Sequence, residues 1–368
     1  MILSPSADRL PAIPAVLPGL DGVRAISILL VMISHSGLAH VVPGVFGVTL
    51  FFFISGFLIT TLMLVEFRRD GRLAIGAFYM RRLIRLYPPL IVSIGVTVLV
   101  MALYGIHVHP LGILGALAYL ANYLAIFRPD LVAGLGGQLW SLAVEEHFYF
   151  VYPLVMTVLL ARPRLALPAL ALVCLASLMV RVYVVINHTD IATDYTGKAT
   201  ETRLDSILYG AMAALMWWSA RGRAVMDWLI RPSGLMVAGL LIVYTLAYRN
   251  PVFRETLRYS LQGLALMPLV VAATVAGTLP RITALLEAEP VRWIGRLSYS
   301  LYLWHILGLD LGERLMAAAG LPFVAGVALG WLLSFGFAMA SYRFVEKPFF
   351  ALRKRFGSNV QATAHGAA

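Results

Sequence analysis

Eleven mostly apolar runs follow one another along this chain, at 24–41, 45–65, 84–105, 111–127, 139–160, 165–187, 205–220, 233–248, 258–279, 295–315 and 321–342. Most approach or exceed the 20 or so residues that a helix needs to cross a bilayer. The 368 residues are 60% hydrophobic and 13% charged. A soluble domain carries roughly twice that share of charge, so a water-soluble core is excluded. A transmembrane barrel is excluded too, because its strands alternate polar and apolar at every second residue. The expected fold class is therefore all-α, a polytopic transmembrane bundle.

Charge sets an expected topology. The chain holds 29 Lys and Arg against 18 Asp and Glu, a net charge of +11. These cations sit between the apolar runs, where they orient a membrane protein, so no nucleic-acid partner is implied. With all eleven runs crossing and the N-terminus inside, 16 cations fall inside and 13 outside. If one run between Arg85 and Trp140 fails to cross, the split becomes 21 against 8. The run 111–127 is short, contains glycine and is followed by Arg128-Pro129-Asp130. The reading is thus about ten spanning helices, a re-entrant or interfacial segment at 111–127, and both termini cytoplasmic. A tail at 1–19, one membrane domain at 20–350 and a polar tail at 351–368 complete the organisation. The N-terminal stretch has no apolar core of the kind a cleaved signal needs. The single cysteine, Cys174, leaves no intrachain disulfide.

Ionisable groups inside a span are costly and by default mark function. Arg24 and His35 are eleven residues apart, within about 20° of three full helical turns. They share a face roughly 16 Å apart along the axis. A histidine at that depth suits proton transfer near neutrality. Six arginines fall between Arg68 and Arg85, and Arg81, Arg82 and Arg85 form a plausible seat for phosphates, which guanidinium groups grip bidentately. Orientation alone accounts equally well for these cations. From Trp140 onward, Ser141, Glu145, Tyr149 and Tyr152 form a polar stripe. Glu145 and Glu146 point about 100° apart, so only one faces that stripe, and spacing favours Glu145. The adjacency of Glu146 and His147 lacks the i, i+3/i+4 spacing of a helical metal site, and no metal is expected. Ser298, Tyr302 and His305 form a second stripe. Arg203 with Asp205, and the segment Tyr342–Pro348, read as helix-end ion pairs or caps.

Together these residues resemble the acyltransferase-3 family of integral membrane O-acyltransferases, which modify bacterial surface sugars and some small molecules. The resemblance runs from Leu20 to Phe350. It rests on Arg24-x10-His35, the stretch Phe51–Ile59, Phe78-Tyr-Met-Arg-Arg-Leu-Ile-Arg-Leu-Tyr-Pro88, Trp140–Tyr149, Arg203-Leu-Asp205, Ser298–His305 and Tyr342–Phe349. One departure is His147, where the family usually carries Gln. The resemblance implies a multi-pass protein of a bacterial cytoplasmic membrane, with no permanently bound cofactor. Its donor substrate would be acyl-CoA, acetyl-CoA in most of the family, and its acceptor a carbohydrate or other hydroxyl. On this reading His35 is the general base, or a transient carrier of the acyl group, and Glu145 orients it. Arg24, Arg81, Arg82 and Arg85 hold the donor, while Ser298, Tyr302, His305, Tyr149 and Trp140 line the substrate path. The alternatives are a transporter or flippase for a glycolipid or small molecule, although the internal symmetry such carriers often show is missing, or an inactive acyl-CoA sensor.

Overall fold

The computed structural model describes Ile13 and residues 17–353, so most of the N-terminal tail, and the C-terminal tail beyond Arg353, lie outside the described residues. All regular structure among those residues is helical. The helices are α1 (Leu20–Ile33), α2 (Gly44–Asp70), α3 (Ile75–Leu103), α4 (Pro110–Leu117), α5 (Ala121–Phe127), α6 (Pro129–Val132), α7 (Leu139–Ala161), α8 (Pro163–Asn187) and α9 (Ala192–Lys198). They continue with α10 (Thr200–Trp217), α11 (Ala220–Leu229), α12 (Pro232–Ala247), α13 (Pro251–Glu255), α14 (Leu257–Ala273), α15 (Pro280–Leu286), α16 (Glu289–Ala318), α17 (Phe323–Ser341) and α18 (Lys347–Arg353). Single π-turns follow α1 at Ser34–Leu38 and α17 at Tyr342–Glu346.

Six helical segments are long and apolar enough to cross a membrane, or seven if the pair α11–α12, bent by 74°, forms one span. Length and apolarity alone therefore do not reach the expected ten. The shortfall has identifiable causes. α14 has only 17 residues. α10 carries Glu201, Arg203 and Asp205 in its first two turns, and α16 carries charges at both ends around an uncharged middle. The run 111–127 is split into α4 and α5, of eight and seven residues, joined through Tyr119 at φ 56°. Neither piece approaches the thickness of a bilayer.

Two close helix crossings frame the centre. α2 meets α10 backbone to backbone: a Cβ on Gly56 would lie 1.9 Å from the carbonyl oxygen of Ile207, and one on Gly210 1.9 Å from that of Phe53. α1 meets α16 in the same way, a Cβ on Gly295 falling 1.9 Å from the carbonyl oxygen of Asp21. Small residues permit such approach, which drives helix association in lipid, where the hydrophobic effect between helices is lost. α1 is thereby held between α2 and α16. α10 is nearly surrounded by α2, α8 and α14, whereas α8 and α17 keep outward rows such as Leu172, Leu175 and Leu332 for lipid.

The two segments read as helix-end pairs are instead internal. Arg203 is fully buried, donates to the Thr49 hydroxyl at 2.9 Å and lies 3.7 Å over the Tyr259 ring. Asp205 pairs with buried Arg181 at 2.7 Å rather than with Arg203. Glu346 accepts a hydrogen bond from Ser300 of α16 and so fastens the last π-turn to the core.

Candidate active site

Five helices enclose a cavity of about 700 Å³, including its open mouth. Three arginines reach it, Arg24 from α1 and Arg82 and Arg85 from α3. Its single carboxylate is Glu145 of α7. Ser298, Tyr299 and Tyr302 of α16 form one wall, and Ser141 and Tyr149 of α7 another. Arg24 Nε donates to the Ser298 hydroxyl at 3.1 Å. Arg82 lies 4.1 Å over the Tyr149 ring, a cation–π contact that fixes its guanidinium without a carboxylate partner. Glu145 accepts from the Ser55 hydroxyl at 2.8 Å and from the Tyr149 hydroxyl at 3.5 Å. An excess of cations over one already engaged carboxylate leaves the cavity with net positive charge, suited to a phosphorylated ligand.

Not every expected residue is here. Arg81 turns away from the cavity to pair with Glu66 at 3.4 Å, because it lies about 100° around α3 from Arg82. Trp140 packs edge-on against Phe52 and is absent from the cavity wall. Glu145 makes no hydrogen bond to His35: it lies in the cavity wall and accepts from Ser55 and Tyr149, whereas His35 lies outside that wall and bonds to His305. Ser55 and Tyr299 are the polar lining residues to which the sequence alone assigned no role. Ser55 is a lone hydroxyl in a run of Phe and Ile, the one signal that could have identified it.

His35 has a different partner. Its Nδ1 lies 3.1 Å from Nε2 of His305, with ring centroids 5.1 Å apart. The hydrogen-bond network assigns the tautomers. Nδ1 of His305 faces the carbonyl oxygens of Tyr302 at 2.9 Å and Leu301 at 3.2 Å. Carbonyls only accept, so this nitrogen carries the proton and Nε2 of the neutral ring holds a lone pair. The contact with His35 then requires His35 Nδ1–H to donate. Nε2 of His35 is left unprotonated, a base by construction. His35 is exposed while His305 is fully buried, so the pair has one open face.

The π-turn places that open face. At Ser36 and Gly37 the backbone leaves helical geometry, Gly37 at φ 85°, a conformation that glycine reaches without strain. Such turns within helices frequently mark functional sites. Ser36 is locked by donating to the Met32 carbonyl at 2.8 Å and by accepting from Trp331 Nε1 at 2.8 Å. Tyr302 links the two parts of the site. It lines the cavity, shares a short hydrogen bond with Ser141, donates to the Gln138 carbonyl at 3.1 Å, and has its ring 5.6 Å from that of His305.

His147, the departure from the family pattern, shares a hydrogen bond of 2.7 Å with Thr200, which also receives Asn122 at 3.1 Å. It ties α7 to α5 and α10 beside the site rather than within it. Among the described residues, no group of three or more His, Cys, Asp or Glu side chains is arranged to hold a metal ion.

Comparison with known proteins bears on this arrangement. Residues 17–343 match the acyltransferase-3 family, described as an acyltransferase domain. The chain is 27% identical over 355 residues to the peptidoglycan O-acetyltransferase OatA of Listeria monocytogenes, covering 90% of this chain and 55% of that protein. It is 29% identical over 352 residues to the O-acetyltransferase OatA of Staphylococcus aureus, covering 91% of this chain and 57% of the relative. The chain thus spans little more than half the length of these curated relatives. No solved structure matches it. With the family's profile running from α1 into the last π-turn, and so across every helix that builds the cavity and the histidine pair, the chain belongs to the acyltransferase-3 family.

Proposed function

We propose that the chain is a membrane O-acetyltransferase that moves an acetyl group from acyl-CoA on the cytoplasmic side to a hydroxyl of a cell-surface glycan. The observation that carries this reading is the histidine pair, with His35 Nε2 unprotonated and open, and with Arg24, one helix length away in α1, reaching the basic cavity. The O-acetyltransferase relatives point the same way.

On this proposal Arg24, Arg82 and Arg85 hold the phosphates of the donor, and its acyl arm runs past Ser141 and Tyr302 toward His35. Nε2 of His35 takes the proton of the acceptor hydroxyl as its oxygen attacks the thioester carbonyl. The C–S bond breaks, the sulfur leaves as thiolate, and the proton on His35 passes to it, giving an ester and free CoA thiol. The imidazolium formed on the way keeps its Nδ1–H bonded to His305. Glu145 acts as a fixed element of the cavity, holding Ser55 and Tyr149 and through Tyr149 the Arg82 guanidinium.

The test is release of CoA thiol by purified protein in detergent, with acetyl-CoA and glycan acceptors. Acceptor-dependent thiol should appear and should fall by about 10²–10⁴-fold in His35→Ala, the range of a lost general base, with folded yield unchanged. Near-normal turnover in that variant sinks the assignment, and glycolipid transport without thiol release establishes a carrier instead. A second expectation concerns the donor. Arg82→Ala with Arg85→Ala should raise KM for acetyl-CoA by about 10²–10⁴-fold, since charge-assisted hydrogen bonds contribute roughly 1.5–3 kcal/mol each. An unchanged KM removes the phosphate role.

A further inference from the structure

A second cavity, of about 1030 Å³ with its mouth, opens beyond the C-terminal end of α1. Ser34, the chain neighbour of His35, is in its wall, as are Val45 and Phe46 at the start of α2. The donor cavity begins two residues, about half a turn, further along α2, at Val48. The two cavities therefore occupy successive stretches of α2 and lie toward opposite ends of α1.

Three arginines, Arg249, Arg254 and Arg258, converge on this second cavity. Among the described residues none of them has a carboxylate within ion-pair distance. The nearby acids are committed elsewhere: Glu255 accepts from Thr196 at 2.5 Å and Asp205 pairs with Arg181. Arg258 donates through Nη2 to the Tyr259 hydroxyl at 2.8 Å and lies 4.6 Å over the Tyr259 ring, yet among the described residues its buried Nε has no hydrogen-bond partner. Among the described residues Arg249 donates only to the His40 carbonyl, at 3.4 Å. Guanidinium groups without carboxylate partners around a roomy cavity, one with an unfilled buried donor, form a receptor for an oxyanion. Orientation in the membrane does not account for them, because the long basic stretch Arg68–Arg85 belongs to the opposite end.

We infer that this cavity binds a carboxylate or phosphate carried by the acyl acceptor, so that the chain acts on anionic glycans. The acceptor half of this statement rests on the acetyl-transfer reading above; the anion site itself does not. The arginines anchor the charged group while a neighbouring hydroxyl extends toward the His35 end of α1.

The experiment uses the full chain in phosphatidylcholine nanodiscs. Calorimetric titration compares N-acetylmuramic acid with its carboxyl methyl ester, and inorganic phosphate serves as competitor. Binding of the acid, at least about tenfold weaker binding of the ester, and displacement by phosphate are expected. The double substitution Arg254→Gln with Arg258→Gln should erase the difference, and Arg254→Lys with Arg258→Lys should retain part of it, which separates lost charge from lost folding. Equal binding of acid and ester, no binding of either, or an unaltered preference in the glutamine variant overturns the anion site. Acetyl-CoA turnover measured on the same samples separates the two readings. Acid binding without turnover keeps the site and refutes its link to an acceptor. Repetition in phosphatidylglycerol nanodiscs distinguishes the source of the anion. Lipid retained by the wild type but not by the glutamine variant in native mass spectrometry, with acid binding blocked, assigns the site to a headgroup and overturns the glycan assignment.

Discussion

His305→Phe should cut kcat for acetyl transfer by about 10²-fold or more while leaving KM for acetyl-CoA within about twofold. Phenylalanine fills the buried site beside Leu301 and Tyr302 but removes the lone pair that receives His35 Nδ1–H. Among the described residues His35 then keeps only its contact with the Val31 carbonyl and loses the ring that holds its Nδ1–H and fixes its orientation across the helix pair. His305 is not in the cavity wall, so Arg24 keeps its bond to Ser298 and Arg82 its place over the Tyr149 ring. The division between kcat and KM is therefore the informative readout, since a collapsed bundle would lose both. A ¹⁵N spectrum of labelled histidine adds a direct check. The wild type should show His305 protonated at Nδ1 and His35 protonated at Nδ1 with a bare Nε2. A wild-type spectrum with His35 protonated at Nε2 instead would reverse the direction of the pair and remove it as a prepared base. His305→Gln should recover part of the rate, because its side-chain oxygen offers an acceptor near the lost nitrogen.

The largest stability effect is expected at the crossing of α2 and α10. Gly56→Ala places a methyl carbon 1.9 Å from a backbone carbonyl oxygen of Ile207. A flexible side chain could move aside, but a helix backbone has to be displaced as a whole. Overpacking of this kind costs about 1–3 kcal/mol and occasionally more, and this contact belongs at the upper end. Loss of monodisperse protein on size-exclusion chromatography, or a clear fall in Tm, is the expected result. Gly239→Ala in α12 is the matched control: nothing lies within 4 Å of the point where its methyl would sit, so its Tm should hold or rise slightly. Equal behaviour of the two variants would show that the crossing is not as close as described.

These two sites differ in how far the chain alone reveals them. The Arg24–His35 spacing and the Ser298–His305 stripe are local helical arithmetic, and the structure keeps both. The separation of about 100° per residue turns Glu145 rather than Glu146 to the polar stripe, and Glu145 does line the cavity. Its partner is not legible in this way, because the choice between His35 and Ser55 depends on how α7 sits against α1 and α2, not on either helix alone. Charge density along the chain groups Arg81 with Arg82 and Arg85 without showing which side of α3 each faces. The count of spans is limited in the same way. Buried charges on α10 and at the ends of α16 make helices look too polar to cross, although α10 receives its partners from inside the bundle.

By itself, the sequence determined that this is an all-helical membrane chain of the acyltransferase-3 family, and it marked most of the polar groups that matter, because composition, periodicity and motif order are properties of the chain read along its length. Only the tertiary structure decided that His35 answers to His305, that three of the arginines share one cavity while Arg81 leaves it, and that Arg249, Arg254 and Arg258 surround another. Although Arg249, Arg254 and Arg258 are neighbours in sequence, the histidine pair and the walls of both cavities join helices far apart along the chain. They depend on the axial shift and rotation of one helix against the next, which are set where glycines let two backbones touch.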